Sequence, residues 1–201
     1  MCTRYSFNLA EVDLGFLGLG TFSVDNPLQQ IAPGRQVWMI RLDKKKRPEA
    51  AQAKWGLAPS WLDNFAKAQA NARVETASQL PMFKEAWHKR RCLILADGYF
   101  QWHHSPDQRR QLWKINRQTQ PFMLMAGLWE RYQVDDTLSF ESCAVLTMPA
   151  TEQLSVLGER MPAVVNNDDA LAWLEGGAFD VSRFSLPLMK NAFNCQSLVK
   201  R

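Results

Sequence analysis

Six short runs of apolar or alternating residues limit what this chain can fold into: Val37–Leu42, Cys92–Ala96, Leu112–Asn116, Met123–Leu128, Cys143–Thr147 and Ala163–Val165. Gly, Pro, Asp or charged residues bound each run, and all six are expected to be β-strands. Helical patterns are fewer. Phe83–Arg90 spaces Phe83 and Trp87 at i,i+4, and Asn167 can cap a helix with Asp168 and Asp169 in its first turn, ending before Gly176 and Gly177. A third, short helix is expected after Thr151. Strands grouped in runs, without strict strand–helix alternation, predict an α+β fold around a curved, mostly antiparallel sheet with a few flanking helices.

A chain of 201 residues that is 46% hydrophobic can bury one substantial core, so a single domain over residues 1–201, acting as a monomer, is expected. Lys and Arg number 24 against 20 Asp and Glu, a net charge of +4 that suits an anionic partner without requiring one. The Met1–Leu9 segment carries Arg4 and no apolar run like a signal-peptide core. No stretch approaches membrane-spanning length, so a soluble, cytoplasmic protein with no membrane partner is expected. The cysteines (Cys2, Cys92, Cys143, Cys195) show no C-x-x-C spacing, and the histidines are His88, His103 and His104, so neither a metal nor any other cofactor is expected. Cys92 and Cys143 sit in apolar runs and read as small buried side chains. Lys44-Lys45-Lys46-Arg47 reads as a solvated turn between two strands, with a phosphate contact as the alternative. Eight tryptophans are present, mostly for the core, and one or two exposed near basic residues would make a stacking platform for unpaired bases.

Cys2 is positioned for unusual chemistry. The initiator Met is usually removed before a small residue, which would leave Cys2 with a free α-amine (pKa about 8) beside its thiol (about 8.5). An aldehyde can form a Schiff base with the amine and then be trapped by sulfur as a five-membered thiazolidine. By position alone, however, a cysteine at residue 2 needs no role.

Six segments supply context: Met1-Cys2-Thr3-Arg4, Trp55-Gly56-Leu57-Ala58-Pro59-Ser60-Trp61, Asn71-Ala72-Arg73-Val74-Glu75-Thr76, Met82-Phe83-Lys84, Ala96-Asp97-Gly98-Tyr99-Phe100-Gln101-Trp102 and Glu159-Arg160-Met161-Pro162. In order and spacing they resemble the SRAP family (SOS-response-associated peptidase). The resemblance implies one α+β domain built around a barrel-like sheet. It also implies binding of single-stranded DNA and a covalent link between Cys2 and the ring-opened aldehyde of an abasic site, shielding the lesion as part of the DNA damage response. On the same basis Asn71 would orient the amine or the sugar. Arg4, Arg73 and Arg160 would hold phosphates, each with a salt bridge to a carboxylate such as Glu75 as its structural alternative, and Trp61 and Pro33 would line the strand's path.

The chain departs from that pattern at three places. The family's glutamate in ADGxxEW, thought to act as acid and base, is Gln101, which cannot transfer that proton. The family's late histidine is Gly158, and Thr3 replaces a glycine beside the nucleophile. Positioned acid–base groups typically contribute about a hundredfold to ten-thousandfold in rate. Three readings follow: Cys2 and Asn71 still form the crosslink while reversal and self-processing are impaired; the protein binds single-stranded DNA noncovalently; or Glu159 or the His103–His104 pair supplies the proton. A reading from another class is an N-terminal-nucleophile amidotransferase, but Arg4 breaks the Met-Cys-Gly-Ile start typical of those enzymes.

Overall fold

The computed structural model describes residues 3–24, 28–104, 110–184 and 192–198; Met1 and Cys2 lie outside them. Fifteen strands occur among the described residues: β1 (Tyr5–Phe7), β2 (Glu11–Asp13), β3 (Thr21–Ser23), β4 (Leu28–Ile31), β5 (Gln36–Leu42), β6 (Pro48–Trp55), β7 (Asn71–Arg73), β8 (Arg91–Ala96), β9 (Gly98–His104), β10 (Arg110–Arg117), β11 (Met123–Gln133), β12 (Ser139–Pro149), β13 (Arg160–Pro162), β14 (Val164–Val165) and β15 (Phe193–Ser197). Four short α-helices accompany them: α1 (Val74–Ala77), α2 (Pro81–Lys89), α3 (Glu152–Ser155) and α4 (Ala170–Glu175).

The six expected strands are all present, as β5, β8, β10, β11, β12 and β14. Five strands close into a barrel in the order β12, β6, β5, β8, β11 and back to β12. The β6–β12 pairing is parallel, with Cys143 opposite Trp55, and the other four pairings are antiparallel. Closure removes exposed edges, and the inward side chains fill the interior. All six residues of β8 are buried, and Met39, Ile40, Trp55, Leu93, Ile94, Leu95, Met123 and Met125 are at most 1% exposed. A second sheet, β15–β10–β9–β1–β4, packs alongside.

α2 and α4 cover one side of β8. Pro81 starts α2 at a position where its missing N–H costs nothing, and Phe83, Ala86 and Trp87 form its buried stripe. Trp87 meets Trp173 of α4 edge-on at 5.7 Å, and the Trp173 indole donates to the Cys92 carbonyl at 2.8 Å. One expectation needs correction: Asn167 opens a 3-10 turn (Asn167–Asp169) ahead of α4 and makes no capping hydrogen bond. The Asp169 carboxylate that follows is drawn to Arg183 instead. The helix does end at Gly176 and Gly177, both at positive φ. Lys44–Arg47 forms the turn between β5 and β6, tied by Asp43, whose carboxylate accepts from the Lys45 and Arg47 amides. No helix of the described residues is long and apolar enough to cross a membrane.

Candidate functional site

The first strand is clamped at its far end from residue 2. Asp97 accepts from the Ser6 hydroxyl, from the Asn8 amide at 2.6 Å and from Lys114 Nζ at 3.0 Å, and the Asp97 amide donates to the Ser6 carbonyl. Gly98 leaves no room for a side chain, since a Cβ there would sit 2.8 Å from Lys114 Cε and 3.0 Å from the Ile115 carbonyl. The Asp-Gly pair therefore fixes β1 against β9, with Tyr5 opposite Tyr99 and the Phe100 amide donating to the Arg4 carbonyl at 2.9 Å. Arg4 is exposed and donates to Gln30 at 3.1 Å on β4.

β7 and β13 both lie on β12. The first pairs in parallel, with Asn71 opposite Val145 and Arg73 opposite Thr147; the second pairs antiparallel, with Pro162 opposite Thr147 and Arg160 opposite Pro149. Two arginines thus flank Thr147. Arg160 holds Glu75 with both ends of its guanidinium, at 2.5 and 2.9 Å, and donates to the Thr147 carbonyl at 2.6 Å. These hydrogen bonds hold the Glu75 carboxyl below its ordinary pKa, against a smaller opposing push from burial. Arg73 is exposed and makes no hydrogen bond or ion pair among the described residues. It attracts Glu75 only through space.

Gln101 and Gly158 are in contact. A Cβ on Gly158 would lie 2.6 Å from Gln101 Nε2 and 2.9 Å from Cδ, so the glutamine amide fills the space a side chain at 158 would need. The Gly158 amide donates to the Leu154 carbonyl at 3.2 Å, which hangs the residue from α3. Gln101 Oε1 is buried and has no partner among the described residues.

Trp55 joins the remaining pieces. It is 1% exposed, its ring meets Tyr5 edge-on at 5.1 Å, and its indole donates at 2.7 Å to the carbonyl of Ala70, the residue before Asn71. Its backbone carbonyl accepts from Gly34 at 2.7 Å, fixing the turn that displays the exposed Pro33. The Pro33 turn, Tyr5 and the start of β7 are therefore all held on Trp55, the first through its backbone carbonyl and the other two through its indole.

A family model described as SOS response associated peptidase (SRAP) matches residues 1–199. The chain belongs to the SRAP family. Among relatives, the abasic site processing protein YoaM of Bacillus subtilis is 24% identical over 87% of this chain and 79% of its own length. The abasic site processing protein YedK of Escherichia coli is 30% identical over 72% of this chain and 63% of its own length. A crystal structure of a protein from Bordetella bronchiseptica shares the fold, with a TM-score of 0.81 and 24% identity over 99% of this chain and 100% of that one.

Of the SRAP residues expected from sequence, the fold links Arg4, Asn71, Gln101 and Pro33 through the first strand, β9 and Trp55, and groups Arg73 with Arg160 on β12. Cys2 lies outside the described residues. Trp61 stands apart, 59% exposed over a cleft of about 420 Å³ that it shares with Gln79, Met82 and Lys84. His103 lies on β9, while the side chain of His104 is not described. The other cysteines are poor nucleophiles: burial pushes the Cys92, Cys143 and Cys195 thiols above their ordinary values.

Sequence reasoning did not single out Trp102. Trp102 is 41% exposed, with the Arg110 guanidinium 4.5 Å from its ring centroid, making a second aromatic platform beside Gln101. Its basic neighbour comes from the next strand, so the available signal was the tryptophan that closes the Ala96–Trp102 motif. The Arg160–Glu75 ion pair is the structural alternative that the sequence offered for that arginine.

Proposed function

We propose that this SRAP protein binds single-stranded DNA and captures abasic sites through Cys2 after loss of Met1. The Cys2 amine adds to the ring-opened sugar aldehyde and expels one water to form a Schiff base. The thiol then adds across the C=N bond, its proton passing to nitrogen, which closes the thiazolidine. Arg4, Arg73 and Arg160 hold flanking phosphates, Trp61 and Pro33 line the strand's path, and Asn71 orients the amine or sugar. The observation that carries this reading is the pairing of β7 and β13 on β12, with Arg73 opposite Thr147 and the Arg160 guanidinium, from opposite Pro149, donating to the Thr147 carbonyl. Arg4 stands just before β1, its carbonyl accepting from the amide of Phe100, the neighbour of Gln101. Names carried by relatives, abasic site processing proteins, support the lesion as substrate.

Gln101 sets the character of the reaction. Its amide can accept and donate hydrogen bonds but cannot move a proton near neutral pH. Condensation of an amine, a thiol and an aldehyde proceeds without a positioned acid, whereas ring opening loses its proton donor, so capture is retained and reversal is slow. Self-processing goes no further than loss of Met1.

A single-stranded oligonucleotide with one abasic site, incubated with the protein and run on a denaturing gel beside Cys2→Ala, tests this. A shifted band absent from the variant is expected. Binding on a native gel with no denaturation-resistant band would instead establish the noncovalent reading. Turnover of glutamine with indifference to DNA would establish an amidotransferase.

A further inference from the structure

A cleft of about 480 Å³ opens beside the Pro33 turn, lined by Gly34, Arg35, Gln36, Lys54 and Phe140. Among the described residues its lining holds two cations and no carboxylate. The cleft under Trp61 includes Glu85 and Glu130, and the one beside Trp129 includes Asp43, Glu85, Glu130 and Glu141. Lys54 is partly buried, with its ammonium 4.6 Å from the Phe65 ring centroid and 5.4 Å from that of Phe140. Neither Lys54 nor Arg35 forms an ion pair among the described residues. Both are held in place through the backbone. Gln36 pairs with Lys54 across β5 and β6, and the Trp55 amide donates to the Arg35 carbonyl at 2.9 Å. At Gly34, with φ of +90°, nothing lies within 4 Å of where a Cβ would stand, so the backbone there is open to close approach.

The cleft also connects two residues that otherwise stand apart. Pro33 borders Gly34 on one side. On the other, Phe140 and Phe65 pack on a small buried cluster of Ala58, Leu62 and Tyr132, and Leu62 is the neighbour of Trp61. A strand touching both Pro33 and Trp61 has this surface between them, and cations without counter-charges are what a phosphodiester needs.

Resting on the DNA reading above, we infer that Arg35 and Lys54 form a phosphodiester subsite for the single strand between Pro33 and Trp61, with Phe140 as its apolar floor. The contact reads backbone charge and carries no base preference.

Fluorescence anisotropy with the full-length protein and an undamaged oligothymidylate, measured across a range of sodium chloride, tests the subsite. Arg35→Gln/Lys54→Gln is expected to bind about tenfold more weakly and to flatten the log–log salt slope by roughly 0.7 to 1.4, the effect of one to two lost phosphate contacts. Lys54→Arg should restore most of the loss seen in Lys54→Gln. Arg35 is exposed, so Arg35→Gln alone carries the test if the double variant melts early. Wild-type affinity and slope in the variants, while the wild type binds, would overturn the subsite and leave the wider reading standing. Failure of the wild type to bind would overturn both. Inorganic phosphate at matched ionic strength should displace the strand no better than chloride does; stronger displacement would identify a free-phosphate site instead.

Discussion

Gln101 lies against the bare Cα of Gly158, closely enough that a Cβ there would stand 2.6 Å from its amide nitrogen. Two of the three departures from the SRAP pattern are therefore in direct contact. A glutamate at 101 in the same rotamer would meet that Cβ as the glutamine does, so a histidine at 158 requires the side chain at 101 to turn to a new rotamer, and the acid and the late histidine of the family motif act as a pair only in that rearranged geometry. Gly158→His with Gln101→Glu is expected to raise the rate of crosslink reversal by about a hundredfold or more, with each single change giving much less. Release of oligonucleotide after a chase with excess free aldehyde trap measures it, and additive single effects would refute the coupling.

Stability should show the same coupling. Gly158→Ala forces the flexible end of Gln101 to move, at a cost of about 0.5 to 1 kcal/mol. In a Gln101→Ala background that cost should vanish. Urea unfolding of the four proteins in the cycle reads the difference directly.

Glu75 should report its pairing with Arg160 through pH. Its folded pKa lies below the ordinary value, so the pair's stabilising effect is fully present above the unfolded glutamate pKa, about 4.3, and is lost as pH falls through the folded pKa. The carboxylate side chain is 44% exposed, and solvent screening holds the effect to under about 1 kcal/mol. Wild type and Glu75→Gln should therefore differ in stability at pH 7 and converge once pH has fallen below the depressed folded pKa. A constant gap across that window would mean the ion pair contributes nothing.

The two tryptophans of the Trp55–Trp61 segment should separate cleanly. Trp55→Phe removes the donor to the Ala70 carbonyl and leaves space beside Tyr5, costing about 1 to 3 kcal/mol in unfolding. Trp61→Ala, at a side chain 59% exposed, should leave stability within about 0.5 kcal/mol. It should weaken single-strand binding by about 1 to 3 kcal/mol through lost base stacking. A destabilised Trp61→Ala protein with unchanged DNA affinity would assign Trp61 to packing.

Arg73 and Arg160 should differ as well. Arg73→Gln, at a cation with no direct partner among the described residues, is expected to flatten the salt dependence of strand binding by about 0.7 without altering the melting temperature. Arg160→Gln should also destabilise the fold, because Glu75 and the Thr147 carbonyl lose their donor.

The sequence made some elements easy to see and concealed others for definite reasons. β8 and β11 were legible because their buried runs are apolar throughout at Cys92–Ala96 and Met123–Leu128. β6 was hidden because Glu49-Ala50-Ala51-Gln52-Ala53-Lys54 favours helix locally; pairing with β5 and β12 overrides that preference. β7 and β13 escaped notice because three residues are too few to show a period, yet they carry Asn71, Arg73 and Arg160. The site residues were readable only as motifs in order. The Gln101–Gly158 contact and the Arg160–Glu75 pair are made across distant segments and leave no local trace.

Intact-mass spectrometry of the protein after incubation with an abasic-site oligonucleotide tests the central claim most directly. The predicted product weighs the sum of the Met1-free protein and the oligonucleotide less one water, survives denaturation without a reductant, and is absent with Cys2→Ala. Met1-free protein that leaves the aldehyde-bearing oligonucleotide unmodified, or an adduct that persists in Cys2→Ala, would contradict it.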